Sequence, residues 1–396
     1  MNKEETDYSA AVDDITSRRS KKEDPTRDST RKTLELLDHP ENDYRVVLVG
    51  GTNGKGFTVE MISELLQHHG KKVGTYRSPH LTSCRERIQI NGEKISKEEF
   101  LELYRRIDGL DTELTFFEFM TSASYLYFSD ENVDYAVMEV GMGGRLDATN
   151  VTEPDLSVIT NVGDDHEKYL GETVEERAWE LGGIIQSNPV VLGEMLDTLI
   201  EIAEDRNAEI LGKKVVDGNA NTVLKFNGKG FQIPVRGSFQ SENLGVALSA
   251  VEKLEEIPED LGEALSGLEC RGRMEVRDRN PLYIHDGAHN PSAVEKILQD
   301  LPEDFICVFN ATKSKDYDKM ISLLEQKASK FYFTESDVEW ATENAEKLAQ
   351  ETEIDYEIER DPEEAVRLAR KEASLEVCVL VTGSLYLIGA IRKSDS

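Results

Sequence analysis

One stretch constrains the fold of this chain more than any other: the apolar run Val46–Val49 and the glycine-rich loop that follows it. The run is rich in β-branched residues and predicts a buried strand. Glycines stand at positions 50, 51, 54 and 56, and a helical pattern then continues to Gly70, which is placed to end the helix. A strand, a glycine-rich loop and a helix in this order bind phosphate, because glycines let backbone N–H groups approach the oxygens and the helix N-terminus adds positive potential.

The loop also carries a lysine, Lys55, that would reach the terminal phosphates. The strict nucleotide-loop pattern is broken twice, since Val49 replaces its first glycine and Phe57 replaces its serine or threonine. An ordinary tight turn between a strand and a helix therefore stays open as an alternative for this stretch alone. The predicted ATP contacts of the loop are Gly51, Thr52, Asn53, Gly54, Lys55, Gly56, Phe57 and Thr58.

Polar residues also end two later predicted strands. Val133–Val140 is an apolar run that contains Glu139, and Leu156–Val162 is followed by Asp165 and His166. In open parallel α/β sheets, ligands bind at the carboxyl ends of the strands, so these residues and the phosphate loop predict one ligand-binding edge. An acidic side chain in a buried strand is costly unless it is paired or metal-bound, which makes Glu139 a candidate Mg²⁺ ligand.

Composition and pattern divide the chain into three parts. Residues 1–31 are mostly charged or hydroxyl-bearing and predict a disordered N-terminal arm. Residues 32–268 contain the phosphate loop and predict a central ATP-binding domain. Strands and helices alternate again over residues 269–396, which predicts a smaller Rossmann-like α/β domain.

Charge and apolar content exclude several classes of protein. No apolar stretch approaches the ~20 residues of a membrane span, and the charged N-terminus does not read as a secretory signal. The net charge of −32 disfavours nucleic acid and anionic membranes as partners, and indicates either a glutamate-rich soluble surface or adaptation to high salt. The four cysteines form no CxxC pair, so neither a zinc knuckle nor a disulfide framework is predicted, and a cytoplasmic location is the default. We separately expect a monomer.

Several motifs follow each other in the order of one known family. Together with the loop, they resemble the folylpolyglutamate synthases and dihydrofolate synthases of the Mur ligase superfamily, from about Leu34 to the C-terminus. The resemblance implies a parallel-sheet P-loop ATPase domain of Mur ligase type followed by the smaller Rossmann-like α/β domain. The motifs are Gly51–Gly56, Tyr76–Leu81, Arg85–Ile88, Asn91-Gly92, Thr115–Phe119, Glu139–Asn150, Asp165-His166, Asp286–Pro291 and Gly383–Tyr386.

The resemblance implies a ligase that uses ATP and Mg²⁺ to join L-glutamate to a pteroate or folate carboxylate through an acyl phosphate. Its partners would be these small molecules only. Two alternatives stay open: a Mur-type amide ligase with a non-folate substrate, and a nucleotide-binding protein that has lost ligase activity. The sequence does not separate dihydrofolate synthesis from polyglutamylation.

The same resemblance assigns roles to residues. Lys55, Glu139 and His166 are implied to be catalytic, and the last two are implied metal ligands. Asp147 is also consistent with a simple turn, and Arg273 with a salt bridge between domains. The further ATP contacts implied are Asn243, Arg273, Asp286 and His289, and the implied pterin pocket is Ser78, Pro79, His80, Leu81, Asp147 and Ala148.

Two departures from the family pattern concern the metal site. Phe57 replaces a metal-binding hydroxyl, and Thr58 is the predicted substitute ligand, although one position along a helix is a rotation of ~100°. Leu181 replaces a lysine whose carbamate supports a second metal ion, and Glu180 or Asp165 could take over that role. A site with a single Mg²⁺ is the expectation, because Mg²⁺ needs few protein ligands.

Overall fold

The computed structural model describes residues 3–18, 27–218, 223–336, 338 and 342–394. Its contacts divide the chain into two compact units. These units differ from the contiguous domains predicted over residues 32–268 and 269–396, because Asp164–Tyr169 and Val216–Ser241 group with the second unit. The first unit is Met1–Gly163, Leu170–Val215 and Glu242–Leu265, and the second is Asp164–Tyr169, Val216–Ser241 and Ser266–Ser396.

Strands and helices alternate through most of the described chain. The strands are β1 Arg45–Gly50, β2 Val73–Tyr76, β3 Ile88–Ile90, β4 Glu93–Lys94, β5 Tyr135–Glu139, β6 Leu156–Ile159, β7 Val190–Leu192, β8 Ile210–Gly212, β9 Asp217–Gly218, β10 Val223–Phe226, β11 Lys229–Gln232, β12 Glu275–Arg279, β13 Leu282–His285, β14 Phe305–Phe309, β15 Ala328–Phe333, β16 Asp355–Ile358 and β17 Cys378–Thr382. The helices are α1 Lys3–Ser17, α2 Asp28–Leu36, α3 Lys55–His68, α4 Lys97–Asp108, α5 Phe116–Asp130, α6 Glu167–Leu170, α7 Val174–Leu181, α8 Asp197–Asp205, α9 Gln240–Leu254, α10 Leu261–Ala264, α11 Pro291–Leu298, α12 Tyr317–Leu324, α13 Ala345–Leu348, α14 Pro362–Glu372 and α15 Leu385–Ser394. Short 3₁₀ turns cover Pro40–Asn42, Cys84–Arg87, Gly182–Ile184 and Ala349–Glu351.

An eight-stranded sheet forms the centre of the first unit, in the order β4-β3-β2-β5-β1-β6-β7-β8. Strands β2, β5, β1, β6, β7 and β8 run parallel, and β3 and β4 add antiparallel pairs at one edge. Strand β1 is buried from Val46 onward because both faces of a parallel sheet are covered. Val49 pairs with Glu139 on one side and with Val158 on the other, so the loop after β1 starts beside the ends of β5 and β6.

Two helices of this unit show how local sequence sets a helix start and a buried helix. Ser96 and Glu99 form a capping box at the start of α4: Glu99 N donates to Ser96 Oγ (3.1 Å) and Ser96 N donates to Glu99 Oε2 (2.8 Å). The aromatic helix α5 is a core helix, and its side chains Phe119, Tyr125 and Phe128 are fully buried.

In the described part of the chain, no helix combines the length and apolar character that crossing a membrane requires.

The prediction of a disordered arm over residues 1–31 is wrong for the described part of that segment. Residues Lys3–Ser17 form α1, which buries Ala11 and Ile15 and places the Tyr8 ring 5.7 Å from the Phe100 ring. Apolar residues recur every three or four positions in an otherwise charged helix, and this stripe provides enough burial to dock it. Helix α2 begins at Asp28, and residues 19–26 lie outside the described residues.

The second unit contains a six-stranded sheet in the order β12-β13-β17-β14-β15-β16 and a three-stranded antiparallel sheet in the order β11-β10-β9. All neighbours in the larger sheet are parallel except β12, which pairs antiparallel with β13. This confirms the mixed α/β class with parallel sheets that the alternating pattern predicts. The elements β12, β16 and α15 were not predicted from the sequence. The side chains of the edge strand β16 are exposed, so its sequence lacks the apolar pattern that would predict a strand.

Candidate functional site

The loop after β1 has a shape that requires glycine. Gly51 and Gly54 have φ angles of 129° and 82°, which L side chains rarely adopt. A Cβ atom at Gly51 would lie 2.0 Å from Thr160 Oγ1, and one at Gly54 would lie 2.3 Å from Asn243 Oδ1. Asn243, a predicted ATP contact, therefore packs directly against the phosphate loop.

The segment after β6 holds this loop in place. Asn161 Oδ1 accepts from Asn53 N (3.0 Å), and Asn161 Nδ2 donates to Asn53 O (2.9 Å). Thr160 Oγ1 donates to the same carbonyl (2.7 Å), and Gly163 N donates to Thr52 Oγ1 (2.9 Å). The sequence reading missed Thr160 and Asn161, whose only signal is their position at the end of a buried strand.

Lys55 lies at the first position of α3, directly after the loop. Its Nζ donates to the carbonyls of Gly51 (2.8 Å) and Thr52 (3.2 Å). Gly54 is the N-cap residue and has no side chain that could satisfy the first N–H groups of the helix. A phosphate would be a stronger acceptor than these carbonyls, because hydrogen bonds between two charged groups are about twice as strong as neutral ones. The loop therefore fits a phosphate group.

The next two residues do not supply a hydroxyl to an open site. Phe57 is 2 % exposed and Thr58 is completely buried. Within the described residues, Thr58 Oγ1 has no hydrogen-bond partner. A metal ion in an open site could reach this oxygen only after a rearrangement, so the geometry gives no support to Thr58 as a substitute metal ligand.

Glu139 ends strand β5 and is 4 % exposed. Its Oε2 accepts from Ser78 N (2.9 Å), which ties the first residue of the predicted pterin segment to the end of the sheet. Its Oε1 accepts no hydrogen bond from the residues that the structure describes. One carboxylate oxygen at the ligand-binding edge is thus available to a metal ion.

Charged side chains fix the predicted pterin segment through hydrogen bonds. Glu86 accepts from the backbone N–H groups of Leu81 (2.8 Å) and Ser83 (3.0 Å), and Arg87 Nε donates to His80 Nδ1 (2.9 Å). Burial raises the pKa of Glu86, but the hydrogen bonds from Thr82 and its neighbours outweigh burial and lower it. His80 and Leu81 are half-buried and Pro79 is exposed, so this segment presents side chains to a ligand.

The Asp147 carboxylate accepts hydrogen bonds from residues of its own loop. Its Oδ2 accepts from the N–H groups of Gly141 (3.1 Å) and Met142 (3.0 Å), and its Oδ1 accepts from Thr149 N (2.9 Å) and Oγ1 (2.6 Å). Burial raises the pKa of this carboxyl. These contacts fit the alternative of a turn-forming aspartate, and Ala148 beside it is also buried. Their predicted contact with the pterin stays a prediction.

In the second unit, a group of polar side chains gathers around Asp165; we call Asp165, His166, His289, Asn290 and Lys315 the Asp165 cluster. Lys315 Nζ donates to Asp165 Oδ1 (2.6 Å) and lies 3.2 Å from His166 Nε2. Asn290 Nδ2 donates to Asp165 Oδ2 (3.0 Å), and His289 Nε2 lies 3.7 Å from the same oxygen. Lys315 and Asp165 are each only 8 % exposed. Lys315 is not among the site residues predicted from the sequence, so the sequence did not predict this contact.

The ion pair of Lys315 and Asp165 is the main charged contact of the Asp165 cluster. Burial raises the pKa of Asp165, but the charge of Lys315 outweighs burial and holds this pKa far below its usual range, with smaller contributions from His289 and His166 when they are protonated. Burial, and then the neighbouring Lys315, lowers the pKa of His289 to about 4, so this imidazole is neutral at pH 7. An ionised Asp165 paired with Lys315 therefore fixes the backbone next to His166.

Within the described ranges, carboxylates do not assemble a second metal site. Asp165 is engaged by Lys315, and Glu180 Oε1 accepts from Arg145 Nη2 (2.9 Å). Leu181 is buried in the core. Among the residues with described placement, no three His, Cys, Asp or Glu side chains come together as a metal site would require. This geometry does not favour Glu180 or Asp165 as replacements for the missing carbamate.

Asp286 follows β13 and is 5 % exposed. Its two oxygens accept from Met274 N (2.7 Å) and Ala288 N (2.8 Å), and burial raises its pKa to about 6. The nearby Arg273 opposes this shift. Asp286 therefore joins two loops of the second unit, and a contact with the ribose would come in addition to these bonds.

Comparison with known proteins identifies the family. Models of the Mur ligase middle domain and of the Mur ligase glutamate ligase domain match residues 49–189 and 272–385. The chain is 36% identical to a dihydrofolate synthase/folylpolyglutamate synthase of Bacillus subtilis, over 92% of this chain and 93% of that protein. It is 32% identical to a probable bifunctional folylpolyglutamate synthase/dihydropteroate synthase of Haloferax volcanii, over 98% of this chain but only 50% of that longer protein.

Solved structures agree with this comparison. Mycobacterium tuberculosis folylpolyglutamate synthase, complexed with ADP and AMPPCP, matches with a TM-score of 0.89 and 26% identity over 99% of this chain and 98% of that one. A bifunctional folylpolyglutamate synthase/dihydrofolate synthase from Yersinia pestis, complexed with AMPPNP and Mn ion, has the same fold (TM-score 0.88, 24% identity, 100% and 99% coverage). The family and fold class predicted from the motifs are confirmed. The chain belongs to the dihydrofolate synthase/folylpolyglutamate synthase family of the Mur ligase superfamily.

Proposed function

We propose that this chain is an ATP-dependent ligase that joins L-glutamate to the carboxylate of a pteroate or folate through an acyl phosphate. The observation that supports this most is the phosphate loop, a glycine-built turn with Lys55 at the start of α3. It occurs in a chain that is 36% identical to a dihydrofolate synthase/folylpolyglutamate synthase over 92% of its length. Small molecules are the only partners this function requires, and we expect a cytoplasmic monomer.

The loop would bind and orient the phosphates of ATP. Backbone N–H groups at the start of α3 and the Lys55 ammonium would surround the terminal phosphates. Phosphoryl transfer depends on positioning and on positive charge more than on covalent chemistry by the protein. Asn243 beside Gly54, and Arg273, Asp286 and His289 in the second unit, are the further ATP contacts that we propose.

A divalent metal ion fits the residues that are present. Glu139 has one carboxylate oxygen without a hydrogen bond from the described residues, and His166 is held in place by the neighbouring Asp165–Lys315 pair. We propose that these two side chains hold one Mg²⁺, which would neutralise negative charge as the phosphoryl group is transferred. Thr58, Glu180 and Asp165 are not favoured as ligands, for the reasons given above.

The acceptor would lie against the segment after β2. Ser78, Pro79, His80 and Leu81 form a loop that is fixed by Glu86 and Arg87. A rigid loop of this kind can orient a planar ring system without a large loss of entropy on binding. The carboxylate that receives the phosphoryl group would then point toward the end of β5.

An ADP-release assay tests this proposal. The full chain, MgATP and L-glutamate are incubated with dihydropteroate, with reduced folates or with other amino acids and acids, and each glutamylated product is identified by mass. ADP release that requires dihydropteroate or a folate is expected. Turnover only with a non-folate acid would support a different Mur-type amide ligase, and no substrate-dependent turnover would leave a nucleotide-binding protein. The preferred acceptor separates dihydrofolate synthesis from polyglutamylation.

A further inference from the structure

The first unit contains a cavity of about 850 Å³ at the edge of the sheet opposite the phosphate loop. Its lining includes Thr152, Ser187 and Asn207, which precede the strands β6, β7 and β8. These residues lie near the amino ends of the parallel strands, whereas the phosphate loop and Glu139 lie at their carboxyl ends. Arg145 and Asn150 of the lining come from the loop after β5, which also contains the predicted pterin residues Asp147 and Ala148. The volume is in the range of small-molecule sites, about 300–1,000 Å³. We call this space the arginine cavity, after Arg27, Arg31, Arg145 and Arg206 in its wall.

The arginine cavity is unusual in a chain with 78 acidic and 46 basic side chains. Among the described residues, Arg145 is the one arginine of this wall with a carboxylate within hydrogen-bond distance, Glu180 at 2.9 Å. Arg27 Nη1 donates to the Asn150 carbonyl (2.5 Å), and Arg206 Nη1 donates to backbone carbonyls that include that of Ile185. These bonds fix the two guanidinium groups, and among the described residues neither Arg27 nor Arg206 forms an ion pair, although Asp28 lies close enough to Arg27 to act on its charge.

The fourth arginine, Arg31, has only a long ion-pair contact and is about half exposed. Arg31 Nη1 lies 3.9 Å from Asp28 Oδ1, and its side chain is 45% exposed. Glu41, Glu153 and Asp205 also line the cavity, but among the described residues none of them forms an ion pair with its arginines. Burial, and then the neighbouring Arg31, lowers the pKa of the Arg27 guanidinium; Asp28 opposes this shift, and Arg145 and Arg206 add smaller contributions that lower it. Converging positive charges of this kind repel each other unless an anion lies between them.

We propose that the arginine cavity binds a small polyanion, a molecule with two or more phosphate or carboxylate groups, at a site separate from the ligase centre. Guanidinium groups bind both kinds of oxygen through paired hydrogen bonds. The amides of Asn42 and Gln186 would add donors, and Glu41 and Glu153 would accept from N–H or O–H groups of the ligand. The same chemistry could come from a phosphate compound or from a γ-glutamyl chain.

Isothermal titration of the full chain tests this inference, with inorganic pyrophosphate and with tri-γ-glutamate as probes at fixed ionic strength. The Lys55→Ala background removes binding at the phosphate loop. In this background, one probe should still bind in the arginine cavity with one-to-one stoichiometry. Arg27→Gln or Arg31→Gln should weaken the affinity for that probe by about tenfold or more. Arg105→Gln is the matched control, because this exposed arginine lies on α4 outside the cavity and removes the same charge.

The outcomes separate the ligands and decide the proposal. Binding of pyrophosphate alone assigns the cavity to phosphate compounds, and binding of tri-γ-glutamate alone assigns it to glutamyl chains. Arg31→Gln removes a half-exposed side chain, so an unchanged thermal midpoint will show that lost binding is not lost folding. Absence of binding by both probes, or binding that Arg27→Gln and Arg105→Gln weaken equally, would overturn the proposal.

Discussion

The phosphate loop of the first unit and the Asp165 cluster of the second both contain residues with proposed roles in the ligase reaction, but different forces hold them. The loop is one contiguous segment whose shape is set by glycines and by neutral hydrogen bonds from Thr160 and Asn161. The Asp165 cluster joins positions as far apart in sequence as Asp165 and Lys315 through a buried charge pair. A site made by backbone shape can thus be recognised in a local sequence, whereas a site made by paired charges exists only after folding.

This difference predicts how each region responds to substitution. In the loop, we expect the side chain that acts on the ligand to contribute little to folding, because Lys55 Nζ donates to the carbonyls of Gly51 and Thr52 in its own loop. In the Asp165 cluster, the charged side chains also stabilise each other, since removing one partner leaves the other buried and unpaired. Function and stability should therefore separate in the first region and remain linked in the second.

The largest effect is expected from Lys55→Ala. Loss of the ammonium at the transferred phosphate should reduce turnover by about 1,000-fold or more, because such charges act on the transition state. The thermal midpoint should stay close to that of the unmodified chain. Steady-state ADP release and a thermal melt measure both quantities, with Lys94→Ala on the exposed strand β4 as control. Near-normal turnover would show that the phosphate-loop assignment is wrong.

Lys315→Met should cost about 3–5 kcal/mol of unfolding free energy, because Asp165 would remain as a buried charge without its partner. The double variant Lys315→Met, Asp165→Asn should recover much of this loss. Urea unfolding of the four members of this cycle measures the coupling. If the single variant is as stable as the unmodified chain, the ion pair contributes little and the contrast between the two regions fails.

Acid should weaken the second unit through its buried histidines. Burial lowers the pKa of His285 to about 3 and, together with Lys315, that of His289 to about 4. These folded-state values are depressed, so their stabilising contribution is complete above the unfolded pKa of about 6.5 and is lost as the pH falls toward 4. The phosphate loop, residues 50–58, contains no histidine or carboxylate.

The variant His285→Phe isolates one of these terms. The fall in unfolding free energy between pH 7.5 and pH 5.5 should shrink by about 1.4 kcal/mol, the linkage of one histidine one unit below its unfolded pKa. His68→Asn at the exposed end of α3 serves as control. An unchanged pH slope in His285→Phe would contradict a neutral, buried imidazole at this position.

Salt should have the smallest effect. The net charge of −32 predicts that the thermal midpoint rises by a few degrees from low to molar salt, as repulsion between surface carboxylates is screened. The stability deficit of Lys315→Met should not change with salt, since a buried pair is screened little. A thermal midpoint that is flat or falls with salt would remove the idea of adaptation to high salt.

Much of the fold could be predicted because its signals are local. The apolar run of β1, the glycines after it and the capping box of Ser96 and Glu99 are each contained in a few consecutive residues. The exposed edge strand β16 lacks an apolar pattern and was missed. Helix α1 was mistaken for a disordered arm, because its charged composition outweighs the short apolar stripe that docks it.

The candidate site could be predicted only in part, for the same reason. Lys55 and Glu139 follow from a loop and a strand end, but Lys315 has no local signal, because its role depends on a carboxylate from a remote segment. The arginine cavity collects residues from α2, from the loop after β5 and from the end of α8. Thr58 shows the opposite case, since a hydroxyl in the right sequence neighbourhood is buried away from solvent; its role as a metal ligand stays a prediction that the geometry does not support.

The central claim is that the chain activates a carboxylate as an acyl phosphate, and one isotope measurement tests it most directly. The acceptor identified by the ADP-release assay is prepared with heavy oxygen in its reacting carboxylate and is turned over with MgATP and L-glutamate. Transfer of one labelled oxygen into inorganic phosphate, in step with ADP and absent in Lys55→Ala, is the predicted result. Inorganic phosphate that carries no label while glutamylated product accumulates would contradict the account.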